Sequence, residues 1–256
     1  MCGRYALTTT PDGVLNFVSV AYVEDFPPRY NIAPTQPILV VMQADKPDPR
    51  SNLPDRRAFL ARWGLIPGWV KDTKDVSLMF NARAETAIGK ASFKAAMRHR
   101  RILVPASGFY EWRRPEKFGE EGPAQPYWIR PKNGAVIAFA GLMETYASAD
   151  GSEIDTAAIL TTGANRAMAR IHERMPVVIS QHDFARWLDC KTQEPRQVAD
   201  LMAAVDDDFF EAIPISDRVN KVANMGPDLQ QPVTEVPPLP PVKPKRKPDD
   251  SQLSLF

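Results

Sequence analysis

Short apolar segments rich in β-branched and aromatic residues dominate the first 227 residues, and they limit the fold more than any other feature. Strands outnumber helices, and the two do not alternate in the repeating strand–helix–strand order that builds a parallel sheet. The sequence therefore predicts an α+β fold with a β-rich, largely antiparallel sheet or barrel-like core flanked by short helices. The predicted strands are Arg4–Leu7, Ile38–Met42, Ala58–Trp63, Ile102–Pro105, Gly108–Trp112, Tyr127–Arg130, Ala135–Ala140, Thr156–Thr161 and Val177–Ser180.

Apolar residues spaced three and four positions apart indicate helices between some of these strands. Each pattern is short, and Pro176 ends any helix that comes before it because the residue preceding a proline avoids helical backbone angles. The loop Arg114–Gln125 combines proline, glycine and glutamate, which is typical of a connection. The predicted helices are Asp12–Val20, Ser92–Arg98, Asn165–Ile171, His182–Leu188 and Arg196–Ala204.

A change of composition after Pro227 divides the chain in two. Residues 2–227 have enough apolar content for one folded domain. Residues 228–256 are rich in proline, carry a basic cluster at 243–247 and cannot bury a core, so we expect a disordered tail. Apolar residues return at the very end of the tail, where they have nothing in the same segment to pack on, and this indicates a partner surface.

Charge and cysteine content argue against several classes of protein. The formal net charge of +1 does not by itself indicate a nucleic-acid partner, so an anionic ligand would need a local cationic patch. The basic run from Arg98 to Arg101 is one candidate patch, and a solvated helix end is an equal alternative. Cys2 and Cys190 form no disulfide framework, and the histidines lack metal-ligand spacing. We expect no metal and no cofactor.

The sequence contains no apolar run near 18 residues and no signal-peptide pattern. We therefore expect no contact with a membrane. Two unpaired thiols suit a reducing compartment, which predicts a cytoplasmic protein.

Cys2 directly follows the initiator Met1. Removal of Met1, the usual outcome before a small residue, leaves an amino-terminal cysteine with its amine and thiol on adjacent carbons. Their reference pKa values are about 7.7–8.0 and about 8.5, so both nucleophilic forms are accessible near neutral pH. With an aldehyde this pair can form a Schiff base and close to a five-membered thiazolidine ring. The alternative is an early thiol packed as a small hydrophobic side chain.

Three further motifs place polar side chains in apolar surroundings. Asn81 and Arg83 are two residues apart and share one face of an extended segment. Glu111 lies between two aromatic residues, and it either faces solvent or occupies a semi-apolar site that raises its pKa for acid–base work. His172 is predicted at a helix end, as a structural or a catalytic residue.

Taken together and in order, the motifs of this chain resemble one family. They resemble the SRAP domain (SOS response-associated peptidase), the abasic-site-processing proteins that crosslink themselves to single-stranded DNA. The resemblance covers residues 2 to about 227. The motifs are M-C-G-R-Y from residue 1, Y-N-I-A-P-T from 30, W-G-L-I-P-G-W from 63, F-N-A-R-A-E from 80, G-F-Y-E-W from 108, L-T-T from 160 and I-H-E-R-M-P from 171.

The resemblance implies a role for each catalytic candidate. Cys2 would be the nucleophile that forms the thiazolidine with the ring-opened sugar. Asn81 would hydrogen-bond near the Cys2 amine and orient it. Glu111 would shuttle protons at the sugar and assist reversal, and His172 would hydrogen-bond the sugar oxygen.

The resemblance also implies DNA contacts. Arg4 and Arg83 would clamp phosphates, Trp69 would stack beside the lesion, and Thr161 would contact the strand. Val70 stands where some relatives carry a second tryptophan, so stacking on that side would be weaker or differently arranged.

The function implied by the resemblance is an abasic-site DNA–protein crosslinking enzyme of the lyase or hydrolase type. It would sense abasic sites in single-stranded DNA and shield them, through the Cys2 thiazolidine, during replication-linked repair in the SOS response. Such a protein would be a monomer associated with the nucleoid. Two alternatives use the same residues: a cysteine peptidase that removes Met1 or cuts another peptide, and a non-catalytic DNA-binding adaptor recruited by its tail.

The last five residues resemble the pentapeptide that binds the bacterial sliding clamp of DNA polymerase. Leu253, Leu255 and Phe256 supply its apolar positions, and Gln252 would hydrogen-bond at the rim of the clamp pocket. A tail that is apolar by chance is the alternative.

Overall fold

The computed structural model describes residues 2–44 and 52–234, and within them short strands form two sheets. The predicted clamp-binding residues Gln252, Leu253, Leu255 and Phe256 lie outside the described residues. In chain order the strands are β1 (Arg4–Leu7), β2 (Arg29–Ile32), β3 (Pro37–Gln43), β4 (Arg56–Trp63), β5 (Asn81–Arg83), β6 (Arg101–Ala106), β7 (Gly108–Arg113), β8 (Gln125–Pro131), β9 (Ile137–Ala147), β10 (Glu153–Gly163), β11 (Arg174–Pro176), β12 (Val178–Ile179) and β13 (Phe210–Pro214).

The larger sheet closes on itself. Its order is β11-β10-β4-β3-β6-β9-β12, and β10 also pairs with β9, so the five strands β10, β4, β3, β6 and β9 form a barrel. Its strands carry many apolar side chains that are fully buried, among them Val40, Leu103 and Ile159. Burial of each such side chain contributes about 1.5–3 kcal/mol. The barrel supports β5, which pairs with β10 just beyond the residues of β10 that pair with β4.

The smaller sheet, with the order β13-β8-β7-β1-β2, is covered on both faces. On one face Phe109 of β7 packs edge-on against Phe139 of the barrel, at 6.1 Å between ring centroids. On the other face Tyr110 packs on Trp128, at 4.8 Å, together with Leu229 from the end of the described chain. Strand β7 is therefore buried on both sides.

The helices are few and short, and the strands hold more of the described residues than the helices do. Two predicted helices, Asn165–Ile171 and Arg196–Ala204, are 3₁₀ helices at Met168–Arg170 and Pro195–Met202. In the first, the Asn165 side chain accepts the Met168 N–H at 2.9 Å and tightens the turn. No helix in the described part of the chain is long and apolar enough to cross a membrane. The α-helices are α1 (Pro11–Val18), α2 (Ala84–Ala87), α3 (Ala91–His99) and α4 (Phe184–Leu188).

The predicted α+β class with a largely antiparallel sheet is confirmed. Among the described strands, β10 pairs in parallel with β4 and with β5, and the other ladders are antiparallel. All nine predicted strands have a counterpart, and Arg4–Leu7 has the predicted bounds. Four strands escaped prediction, namely β2, β5, β11 and β13, because they are short and depend on pairing with distant residues.

Folded contacts continue past Pro227, where the sequence predicts the end of the domain. A 3₁₀ helix spans Pro227–Gln230 and buries Leu229. Gln230 donates from Nε2 to the Tyr110 hydroxyl at 3.2 Å, and the N–H of Val233 donates to the Pro214 carbonyl at 2.9 Å. This segment covers the outer face of β7.

Candidate active site

Cys2 and Asn81 meet where the chain enters β1. The Cys2 side chain is buried, and Asn81 donates from Nδ2 to the Cys2 backbone carbonyl at 2.8 Å. Parallel pairing of β5 with β10 places Asn81 opposite Ile159 and so fixes its position. The Oδ1 atom of Asn81 is buried and has no hydrogen-bond partner among the described residues. Asn81 therefore anchors the backbone of Cys2 and keeps an acceptor atom beside it.

Glu111 is buried, so the structure favours the second of the two environments that the sequence allows. It lies on β7, which pairs with β1 so that Tyr110 is opposite Arg4. Its side chain is 3% exposed. Burial raises the pKa of Glu111, and the positive charge of the amino terminus offsets part of that rise. Glu111 can therefore hold a proton at a higher pH than an ordinary carboxyl group.

The thiol of Cys2 is a weak acid in this environment. Burial raises its pKa far above the ordinary value, and the negative charge of Glu111 adds to the rise, while the amino terminus opposes it. The sulfur atom lies 3.8 Å from the carbonyl oxygen of Arg4, its hydrogen-bond acceptor. The thiol is consequently protonated at neutral pH, and a reaction at sulfur has to move that proton elsewhere.

His172 lies in the turn between the 3₁₀ helix Met168–Arg170 and β11, rather than at the end of an α-helix. The N–H of Arg174 donates to Nδ1 of His172 at 3.0 Å. Burial lowers the pKa of His172 to about 4, so the ring is neutral at pH 7. With Nδ1 accepting this bond, the proton of the neutral ring belongs on Nε2. The Arg174 carbonyl oxygen lies 3.2 Å from Nδ1 and would favour a proton on Nδ1 instead. That tautomer would deprive the Arg174 N–H of its acceptor, so we assign the proton to Nε2.

The turn that carries His172 is held by an ion pair. Arg174 binds both carboxylate oxygens of Glu85 at 2.6 and 2.8 Å and donates to the carbonyl oxygen of Thr161 at 2.5 Å. This pair joins β11 to the start of α2, directly after Arg83. It therefore sets His172 and Arg83 at a fixed separation.

Two cavities open beside these residues. The first, which we name the site cavity, has a volume of about 360 Å³ and contains Glu111 and His172 in its wall. The second, the side cavity, has a volume of about 530 Å³. The site cavity is lined by Arg83, Glu111, Trp112, Arg114, Lys117, His172 and Glu173, and the side cavity by Trp112, Arg114, Glu116, Ala124 and Asn220.

Two residues predicted to contact DNA are engaged within the protein. Arg4 donates to Asn31 Oδ1 at 2.8 Å and to the carbonyl oxygens of Val219 and Asn220 at 2.6 and 3.1 Å. It ties β1 to the C-terminal segment, and a phosphate would have to compete with these acceptors. Thr161 is fully buried, which gives its side chain no surface for a direct DNA contact.

The other predicted DNA contacts differ in exposure. Arg83 is exposed, lines the site cavity and makes no ion pair with a described residue. Trp69 is 63% exposed, whereas its neighbour Val70 is buried against Ile66 and Tyr146. Val70 is thus a packing residue and cannot substitute for a stacking tryptophan.

The arginines of the basic run from Arg98 to Arg101 bind other parts of the protein. Arg101 is buried and donates to four backbone carbonyl groups, and Arg98 binds Glu194 at 2.7 Å. Arg100 pairs with Glu144. The candidate anion patch in this run therefore finds no support in the structure, because its three guanidinium groups already have partners within the protein.

A family model described as SOS response associated peptidase (SRAP) matches residues 1–222. The chain belongs to the SRAP family. The resemblance drawn from its motifs is confirmed.

Named members of the SRAP family match most of the chain. Abasic site processing protein YoqW of Bacillus subtilis is 35% identical over 232 residues, which is 90% of this chain and 98% of the relative. Abasic site processing protein YedK of Escherichia coli is 30% identical over 241 residues, or 91% and 100%. Abasic site processing protein HMCES of Rattus norvegicus is 28% identical over 233 residues, or 80% and 65%.

Solved structures share the SRAP fold seen here. A crystal structure from Bacteroides thetaiotaomicron has a TM-score of 0.76 at 22% identity, covering 91% of this chain and 100% of the other. That of a phage-related protein from Bordetella bronchiseptica has a TM-score of 0.64 at 27% identity, covering 84% and 94%. At the identity of the first, the likeness concerns the fold alone.

Sequence reasoning missed three residues of this SRAP site. Trp112 and Arg114 line both cavities, and Lys117 lines the site cavity together with Arg83. Trp112 also donates from Nε1 to Asn220 Oδ1 at 2.7 Å. Their closeness to Glu111 in sequence could have indicated them. The sequence pattern, however, predicts Trp112 only as a strand residue and the other two only as part of the loop Arg114–Gln125. No group of three or more His, Cys, Asp or Glu in the described ranges could hold a metal ion.

Proposed function

We propose that this SRAP protein processes abasic sites in single-stranded DNA by forming a covalent thiazolidine crosslink through Cys2. One observation carries the proposal: Cys2, Asn81, Glu111 and His172, from four separate parts of the chain, come together beside a cavity that also presents Arg83. The names of the relatives, abasic site processing proteins, support DNA with abasic sites as the substrate.

The reaction needs a free amine, a thiol and an aldehyde. The sugar at an abasic site opens to an aldehyde, and the Cys2 amine adds to its carbon. Loss of water gives an imine. The thiol sulfur then bonds to the imine carbon while its proton passes to the nitrogen, which closes the five-membered ring. The net change is the release of one water molecule.

Proton movements in these steps fall to Glu111. Its raised pKa lets it donate a proton to the departing hydroxyl oxygen and accept the thiol proton when sulfur attacks. This help is necessary because the raised pKa of the Cys2 thiol keeps its proton in place at neutral pH. The neutral His172 would donate from Nε2 to the sugar oxygen, and the unpartnered Oδ1 of Asn81 would accept from the Cys2 amine.

The peptidase alternative finds less support in this electrostatic environment. A cysteine peptidase attacks with a thiolate whose pKa is lowered by a protonated histidine or a helix N-terminus. Here burial and Glu111 raise the pKa of the Cys2 thiol, and His172 is neutral. Crosslinking avoids the conflict because its first nucleophile is the amine. Single-stranded DNA supplies the sugar without the cost of unpairing.

The test is to incubate the protein with a single-stranded oligonucleotide that carries one abasic site. We expect a heat-stable adduct that mass spectrometry maps to residue 2. An oligonucleotide whose aldehyde has been reduced with borohydride should give none. Cys190→Ala is the matched control for Cys2→Ala, because it removes the other thiol and should leave the adduct intact. A heat-stable adduct that persists in Cys2→Ala would overturn the proposal. If the wild-type protein forms no adduct, the result favours the alternative of a non-catalytic DNA-binding adaptor.

The tail prediction concerns recruitment rather than chemistry. Deleting residues 252–256 should abolish binding to the DNA polymerase sliding clamp, because Leu255 and Phe256 provide the apolar anchors of the motif. Crosslinking in the test tube should be unchanged, and surface plasmon resonance on immobilised clamp measures the difference. A full-length variant with Leu255→Ala and Phe256→Ala is the control for chain length. Equal clamp binding by all three proteins would exclude this role.

A further inference from the structure

The segment that directly follows β7, residues 114–119, forms part of the wall of the site cavity, and we name it the platform. Arg113, which is buried, binds both carboxylate oxygens of Glu120 at 2.7 and 2.8 Å. Its guanidinium also lies over the ring of Phe118, at 4.6 Å from the centroid. Between these anchors the 3₁₀ helix Pro115–Phe118 ends at Gly119, whose φ of 71° suits a residue without a Cβ. The loop between β7 and Gly119 is thus held at both ends.

This platform presents two cations whose charges are not used in ion pairs within the described residues. Arg114 and Lys117 are exposed and line the site cavity, as Arg83 does. Other arginines of the region bind protein acceptors, as Arg113 and Arg174 do. The acids in the same wall are Glu111, whose pKa is raised, and Glu173. Three cations face two acids there, so the cavity favours an anion.

The two cavities share a wall. Trp112 and Arg114 line both of them, and the Trp112 indole is fixed by its bond to Asn220. The path from the site cavity to the side cavity therefore passes over Arg114. A polyanionic strand that entered one cavity would meet this guanidinium as it continued into the other. Guanidinium and ammonium groups bind phosphate oxygens through charge-assisted hydrogen bonds.

We propose that Arg114 and Lys117 bind the two phosphates that flank the captured nucleotide. Lys117 acts with Arg83 on the phosphate at the site cavity, and Arg114 holds the next one at the border of the side cavity. The inference rests on the proposed function, since it takes the strand to be DNA. It moves the phosphate contacts from Arg4, which is engaged within the protein, to the platform after β7.

The experiment measures binding of an undamaged, fluorescent single-stranded oligonucleotide, so that affinity is separated from chemistry. Arg114→Ala and Lys117→Ala should each raise Kd about tenfold, the value of one charge-assisted hydrogen bond. Each should also reduce the slope of log K against log salt by about 0.7. Arg83→Ala serves as the reference. Lys94→Ala is the matched control, because Lys94 is exposed on α3 and lines neither cavity.

Two readouts decide the question. Equal weakening on oligonucleotides of different sequence and recovery of affinity by Lys117→Arg would support phosphate contacts. Affinity and salt slope equal to those of Lys94→Ala would overturn them, and so would a weaker affinity with an unchanged slope. Failure of the proposed function looks different: the wild-type protein would bind DNA but form no adduct at Cys2.

Discussion

Inserting one alanine between Met1 and Cys2 is expected to reduce adduct formation with abasic DNA below detection. After Met1 removal the free amine then belongs to the inserted alanine, and the amine of Cys2 becomes a peptide nitrogen. A thiazolidine needs the amine and the thiol on adjacent carbons, and this geometry accounts for the intramolecular attack, for which effective molarities reach roughly 10⁵–10⁸ M. Intact-mass spectrometry of the protein after incubation with the oligonucleotide measures the adduct.

The control for this variant is Cys2→Ser, which keeps the free amine in place and removes only the sulfur. It should form an imine that borohydride traps, but no heat-stable adduct without the reductant. The inserted variant should still bind undamaged DNA, since Arg83 and the platform after β7 are unchanged. Crosslinking of the inserted variant at the wild-type rate would rule out the thiazolidine mechanism.

Apolar and aromatic residues were enough to locate two of the strands that build the site. Strand β1 has its predicted bounds, and β7 differs by one residue, because most of their residues are apolar or aromatic. Strand β5 was not predictable in this way. Its three residues, Asn81–Arg83, have no strand pattern of their own and become a strand only through pairing with β10.

The environment of Glu111 could not be read from its own segment. Glu111 lies on the same face of β7 as Phe109, which packs against Phe139 of the barrel, so its burial depends on how the two sheets pack together. The partners of Arg4 are equally distant in sequence, since its acceptors Val219 and Asn220 lie more than two hundred residues further along the chain. Motif resemblance named residues that the structure brings close together, but their partners, and hence their charges, required the tertiary structure.

Glu111→Gln is expected to slow crosslink formation and reversal by about 10²–10⁴-fold, the usual contribution of a general acid–base group. Glutamine keeps the size and the polarity of the side chain but cannot exchange a proton. Affinity for undamaged DNA should stay near that of the wild type, because Glu111 is buried and offers the strand no cation. The rate of formation is measured by quenching the reaction at intervals and separating the adducts on a gel. The rate of reversal is measured by adding an excess of a competing aldehyde, which captures the freed Cys2, and following the loss of the DNA adduct.

A second effect of this substitution makes the result easier to assign. The negative charge of Glu111 raises the pKa of the Cys2 thiol, so glutamine lowers that pKa and makes the thiolate more available. A faster reaction would follow if the thiolate population limited the rate, whereas lost proton transfer predicts a slower one.

Because burial raises the pKa of Glu111, the wild-type rate should change with pH above the range of an ordinary carboxyl group, and Glu111→Gln should lose that change. Glu173→Gln, in the same cavity wall, is the matched control and should keep both rate and pH profile. If Glu173→Gln and Glu111→Gln behave alike, proton transfer does not belong to Glu111.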